Sequence, residues 1–162
     1  MTIHRAGQEI NISFTLNGEA LSASVPAELV LAEYLRERLG LKGLKISCAS
    51  GVCGSCTVLA DGEPVTACSQ FAYSLDGKDV LTIEGLSRSD TLSKVQQAFM
   101  DHSAFQCGYC TPGMILLATA LLAKNPHPTG SDIQSWMSAN ICRCTGYKMI
   151  IEAVEQASDD GA

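Results

Sequence analysis

Eight cysteines carry the chemistry open to this 162-residue sequence, and all eight fall in two tight groups. That grouping excludes the plain reading of cysteine as a small buried hydrophobe. Cys48, Cys53 and Cys56 follow the pattern Cys-x4-Cys-x2-Cys, with Cys68 further along. This is the spacing of a plant-type [2Fe–2S] site. Three thiolates must converge from one loop, and Gly51 and Gly54 supply positions without a Cβ where that loop wraps closely. Its backbone N–H groups can then point at anionic sulfur, with Cys68 closing the site from the returning strand. The second group is Cys107-x2-Cys110 with Cys142-x-Cys144. Cys110 and Cys144 stand immediately before the helix starts expected at Thr111 and Thr145, where free N–H groups and the positive end of a helix dipole favour a dianionic cluster. Structural zinc on four cysteines is the main alternative, more so for the second group than for the first. Disulfides are the lesser alternative, since cytoplasmic thiols stay reduced.

The rest of the composition narrows the setting. A formal net charge of -6 without any Lys/Arg run argues against a nucleic-acid partner. Met1 to Gln8 hold no apolar core of signal-peptide length, and the longest apolar stretch, 114–123, is too short to span a bilayer, so the chain is expected to be cytoplasmic and off the membrane. No Gly-rich phosphate loop follows a strand, so neither flavin nor nicotinamide is expected on this chain itself, and no nucleophile–base pair stands out. His4, His102 and His127 share no spacing with other donors and read as surface or capping residues. Trp136 and Met137 read as core. Arg36, Arg38, Lys42 and Lys45 read as a solvated or subunit-facing surface.

The elements that must hold these residues change character along the chain. Ile10, Ile12, Phe14 and Leu16 alternate with polar neighbours, Asn17-Gly18 is a hairpin signal, and Leu21, Ala23 and Val25 resume the alternation. Leu31, Tyr34, Leu35, Arg38 and Leu39 are spaced as an amphipathic helix that stops at Gly40. A second hairpin is expected over 57–60 and 65–67 around Asp61-Gly62, then a short strand over 80–83. Beyond Gly85 the period becomes helical, predicting helices over 91–102, 112–124, 132–139 and 146–157. Thr111 and Thr145 are expected N-caps, and Thr129 with Asp132 resembles a capping box. The apolar helix after Pro112 is open to two readings of equal weight: an apolar face that one short bundle does not fully cover, or Leu and Ala that simply fill the bundle core. Sheet first and helices second, with the switch near 85–89, predicts an α+β chain of two domains with separate cores, 1–85 and 86–162. The acidic tail over 159–162 is expected to fray.

Gln-Cys-Gly-Tyr-Cys-Thr-Pro-Gly at 106–113 and Ile-Cys-Arg-Cys-Thr-Gly-Tyr at 141–147, together with the Cys48–Cys56 loop, resemble the small iron–sulfur subunit of the xanthine oxidase (molybdenum hydroxylase) family. That family includes carbon monoxide dehydrogenase, quinoline and isoquinoline oxidoreductases, nicotine dehydrogenase and molybdenum aldehyde dehydrogenases. The likeness covers nearly the whole chain. It implies a β-grasp ferredoxin-like N-terminal domain and a C-terminal four-helix bundle, each with one [2Fe–2S] cluster on its four cysteines. It implies a large subunit whose molybdopterin, or its cytosine dinucleotide, lies beside the second cluster, and a medium subunit whose FAD faces the first. Gln106 and Cys144 match family positions that hydrogen-bond the pterin. Electrons from the oxidative hydroxylation of an aldehyde, N-heteroaromatic or similar small substrate would pass through this chain, in a heterotrimer or a dimer of heterotrimers. Ala49 stands where the family commonly has Glu, Tyr109 where it has Phe, and Lys148-Met149 where it has Gln-Asn; none is a cysteine ligand. A stand-alone two-cluster ferredoxin is the alternative function, and a zinc-stapled interaction module a third.

Overall fold

The computed structural model describes residues 5–87 and 91–159. Strands β1 (Glu9–Leu16) and β2 (Glu19–Pro26) pair antiparallel along their full length. They join through Asn17 and Gly18, both at positive φ, as the right-handed strand twist demands of a two-residue turn. Strands β3 (Thr57–Ala60) and β4 (Glu63–Thr66) repeat the device around Asp61-Gly62. Strand β5 (Asp79–Leu81) lies parallel to β1 and antiparallel to β3, which sets the order β2-β1-β5-β3-β4. The sheet is therefore mixed, and its centre is the strand made last.

The first helix begins as α1 (Leu31–Glu33) and runs on as a wider π turn over Tyr34–Arg38, where the Leu39 N–H donates to the Tyr34 carbonyl at 3.1 Å. Leu31, Ala32, Tyr34 and Leu35 face the sheet and are buried, and Gly40 at φ +74° ends the segment as expected. Arg36 is not merely solvated: its Nη1 donates to the carbonyls of Lys42 (3.0 Å) and Leu44 (2.8 Å), pinning the chain that leads to Cys48.

Four helices follow: α2 (Lys94–Asp101), α3 (Thr111–Lys124), α4 (Gly130–Met137) and α5 (Lys148–Asp159). They pack in a ring, with α2 against α3 and α5, and α4 against α3 and α5. Capping boxes open α2 (Ser93 with Gln96) and α4 (Thr129 with Asp132). The first was not anticipated. Helix α2 starts three residues later than the period suggested because Ser93 claims the cap, and His102 closes it. Thr111 and Thr145 are not N-caps: Cys110 holds that position for α3, and α5 starts only at Lys148.

Helix α3 is buried on nearly every side because it is sandwiched. Leu116 and Ala120 meet Leu59 of the sheet, while Met114, Ile115, Leu117, Ala118 and Leu121 enter the core of the bundle. Of the two readings of this helix, the core-filling one holds, and the uncovered apolar face is not found. One core lies under the sheet around Phe14, Leu35, Val58 and Val80, another among the helices around Phe99, Met114, Ile133 and Val154. Met137 is fully buried, and Trp136 is half-buried with its Nε1 donating to the Leu117 carbonyl at 2.9 Å. His4, part of the expected 85–89 switch and the end of the acidic tail lie outside the described residues. No helix among the described residues is long and apolar enough to cross a membrane.

Candidate metal centres

The loop between the π turn and β3 carries Cys48, Cys53 and Cys56. Cys68 sits in a 3-10 turn, Ala67–Ser69, just beyond β4 rather than on the strand. Three loop residues adopt the left-handed conformation, Ala49 (φ 53°), Gly51 (φ 76°) and Gly54 (φ 70°). Turning there aims backbone N–H groups at sulfur. Ser50 and Cys53 each donate to Cys48 Sγ at 3.4 Å, Gly51 to Cys68 Sγ at 3.2 Å, and Cys68 to Cys56 Sγ at 3.4 Å. Such a concavity of donors suits anionic sulfur. The Cys53 and Ser50 donors pull the Cys48 thiol down to about 5, whereas burial pushes Cys56 up to about 12.

The second group forms where the loop into α3 meets the loop between α4 and α5. Cys107 and Cys144 are exposed, Cys110 is half-buried and Cys142 buried. Burial, then proximity to the Cys142 and Cys107 thiols, pushes Cys110 up to about 12. Burial also works against the Cys142 thiolate, but hydrogen bonds from the Thr145 hydroxyl and backbone outweigh it, so its net shift is downward. Thr145 Oγ1 lies 3.2 Å from Cys142 Sγ and accepts the Tyr147 N–H at 3.2 Å, which leaves its own proton for the sulfur. Sharing a proton with Cys107 raises Cys144.

In the second group the Cys107 and Cys144 sulfurs lie 3.6 Å apart, and the charge of each thiol acts on its neighbours in both groups. Among the described residues no three of His, Cys, Asp and Glu are grouped to hold one metal ion. Four thiols in each group, with backbone N–H donors on sulfur in the first, suit the thiolate ligation of a [2Fe–2S] core.

The two groups adjoin. The Ile141 N–H donates to the Cys53 carbonyl at 2.9 Å, and the Tyr109 hydroxyl to the Ile46 carbonyl at 2.7 Å. Asn140, 2 % exposed, packs on Gly54, with Thr57 Oγ1 3.3 Å from its Oδ1. These residues, and Tyr147 behind Cys142, were invisible as site residues in the sequence, since only the fold brings them together. Gln106 is exposed beside exposed Cys107, and Tyr109 and Ile141, each next to a cysteine of this group, also reach solvent. His102 and His127 lie in neither group.

Comparison with known proteins agrees with this geometry. A 2Fe-2S iron-sulfur cluster binding domain matches residues 43–107, and a [2Fe-2S] binding domain matches residues 82–155. The nicotinate dehydrogenase small FeS subunit of Eubacterium barkeri is 48% identical over 149 residues, 92% of this chain and 95% of that protein. Quinoline 2-oxidoreductase of Pseudomonas putida 86 superimposes with a TM-score of 0.90 at 43% identity, over 94% of this chain and 96% of the matched one. Aldehyde oxidoreductase of Desulfovibrio gigas superimposes at 0.89 with 39% identity, over 94% of this chain but 17% of that longer one. Fold, thiol geometry and similarity over nearly the full length converge: this chain belongs to the small iron–sulfur subunits of the xanthine oxidase-type molybdenum hydroxylases.

Proposed function

We propose that the chain binds two [2Fe–2S] clusters, one on Cys48, Cys53, Cys56 and Cys68 and one on Cys107, Cys110, Cys142 and Cys144. It relays electrons from molybdopterin on a large subunit to FAD on a medium subunit. The observation that carries this reading is the set of four backbone N–H groups turned onto sulfur in the first group, in a chain whose two cysteine groups fall within the two matched [2Fe-2S] domains. Each cluster, when bound, takes up and returns one electron. The protein's part is to hold the groups, orient them and set their surroundings.

The two sites divide that work. We assign the first to a ferredoxin-like domain over 1–85 and the second to a helical domain over 86–162. The exposed Cys107–Cys144 edge, with Gln106 beside it, is the face we assign to the molybdopterin subunit. A Gln amide offers both a donor and an acceptor, which matches the mixed edge of a pterin. Partnership with two subunits makes a heterotrimer or its dimer, working in the cytoplasm.

Metal and sulfide analysis of the purified complex tests the reading. The expected result is about four iron and four inorganic sulfide from this chain, with two distinguishable paramagnetic signals on reduction. Zinc at either group, or a single four-iron cluster, would overturn it.

A further inference from the structure

The relay reading leaves unexplained why the two cysteine groups meet through so many specific contacts. Tyr109 stands between Cys107 and Cys110, yet its hydroxyl donates to the Ile46 carbonyl, two residues ahead of Cys48. The ring is 45% exposed, so burial does not account for its place; the hydroxyl ties one cysteine loop to the other. A second tie is steric. Gly113, in the first turn of α3, faces Gly54, which follows Cys53: a Cβ on Gly113 would lie 2.6 Å from the Gly54 carbonyl oxygen and 3.1 Å from Asn140 Nδ2. A Cβ on Gly54 would in turn run into the Asn140 side chain. Helix α3 therefore rests on the backbone of the first loop with no side chain between them, and the buried amide of Asn140 fills the space alongside.

The Tyr109–Ile46, Gly113–Gly54 and Asn140–Gly54 contacts each join a residue within three positions of a cysteine in the second group to a residue within two positions of a cysteine in the first. Neither group can shift relative to its neighbour without breaking a hydrogen bond or opening a close-packed seam. We propose that Tyr109, Gly113 and Asn140 are positioning residues that clamp the two cysteine groups, and with them the two clusters, at one separation. The clamp rests on the two-cluster reading above. It adds that the separation is imposed by these three side-chain choices and not by the bundle and sheet cores alone.

The test is magnetic. In the assembled complex, fully reduced and cold, the interaction between the two paramagnetic clusters splits their resonances, and this splitting falls steeply with separation. Tyr109→Phe deletes one hydroxyl at a half-exposed ring and should keep four iron and the melting temperature while shifting the splitting. Gly113→Ala, whose new methyl must push α3 off the loop, should diminish or abolish it. Asn140→Ala, which removes the filler without adding bulk, should blur it into a broadened line. Rates of electron equilibration between the clusters should slow in the same order as the splitting changes. Two intact cluster signals with wild-type splitting in all three variants would overturn the clamp alone. Absence of a second cluster signal in the unaltered complex would overturn the reading beneath it.

Discussion

The Tyr147 hydroxyl accepts the Cys142 N–H at 3.0 Å and donates to the Asn140 carbonyl at 2.9 Å, so one phenol folds the loop that carries Cys142 and Cys144 back on itself. Tyr147 itself adopts φ +68°, rare outside glycine, to bring its ring there. Tyr147→Phe keeps the ring and strands the amide of a buried cysteine. The expected cost is about 1–3 kcal/mol, the penalty for an unpaired buried donor. The midpoint of urea unfolding measures it, and iron should be lost from the second group before the first.

Cys53→Ser should damage only the first cluster, because the four cysteines of the second group belong to different loops. One paramagnetic signal should vanish and the other persist, with substrate still able to reduce the complex. Loss of both signals together would mean that the sites assemble as one unit.

Gln106→Ala should leave both iron–sulfur signals in place. Its amide is exposed in this chain, so nothing within the fold depends on it. Removing a partner for the pterin should weaken retention of molybdenum by about 1–3 kcal/mol once the interface buries the gap. Molybdenum content and substrate-driven reduction of the adjacent cluster are the measurements; unchanged values for both would dissociate Gln106 from the pterin.

Leu116→Ala removes a side chain that is 1% exposed and touches both Leu59 of the sheet and its own helical neighbours. The cavity should cost about 2–5 kcal/mol. Since Leu116 belongs to the seam between the two cores, sheet and bundle should both lose stability, seen as a joint fall in the thermal transitions reported by sheet and helix signals.

Much of this arrangement was legible in the sequence because it is written locally. Asn17-Gly18 and Asp61-Gly62 demand positive φ at both positions, and no strand pairing elsewhere can change that. The cysteine spacings are equally local. The helix starts misled because Thr111 and Thr145 look like caps by residue type, while Cys110 already occupies the N-cap of α3 and Thr145 turns its oxygen to Tyr147 and Cys142. The π turn at Tyr34–Arg38 has no compositional mark. Tyr109, Asn140 and Arg36 act through backbone carbonyls or glycines distant in sequence or across a loop, which no periodicity can reveal. Helix α3 is apolar all round, a pattern that fits both an open interface and a sandwiched position. Only the sheet laid against it decides.

The central place of β5 has a kinetic consequence. Asn17 bonds the Thr82 backbone and side chain across a separation of 65 residues, and the whole first cysteine group lies inside the loop so closed. Pairing this non-local is slow relative to hairpin closure. During synthesis the β1–β2 hairpin and the three-cysteine loop emerge well before β5, so the nascent chain displays Cys48, Cys53 and Cys56 on an unfinished sheet. The sheet can close only once residues beyond Leu81 have been made, which makes its closure the late event of N-terminal folding.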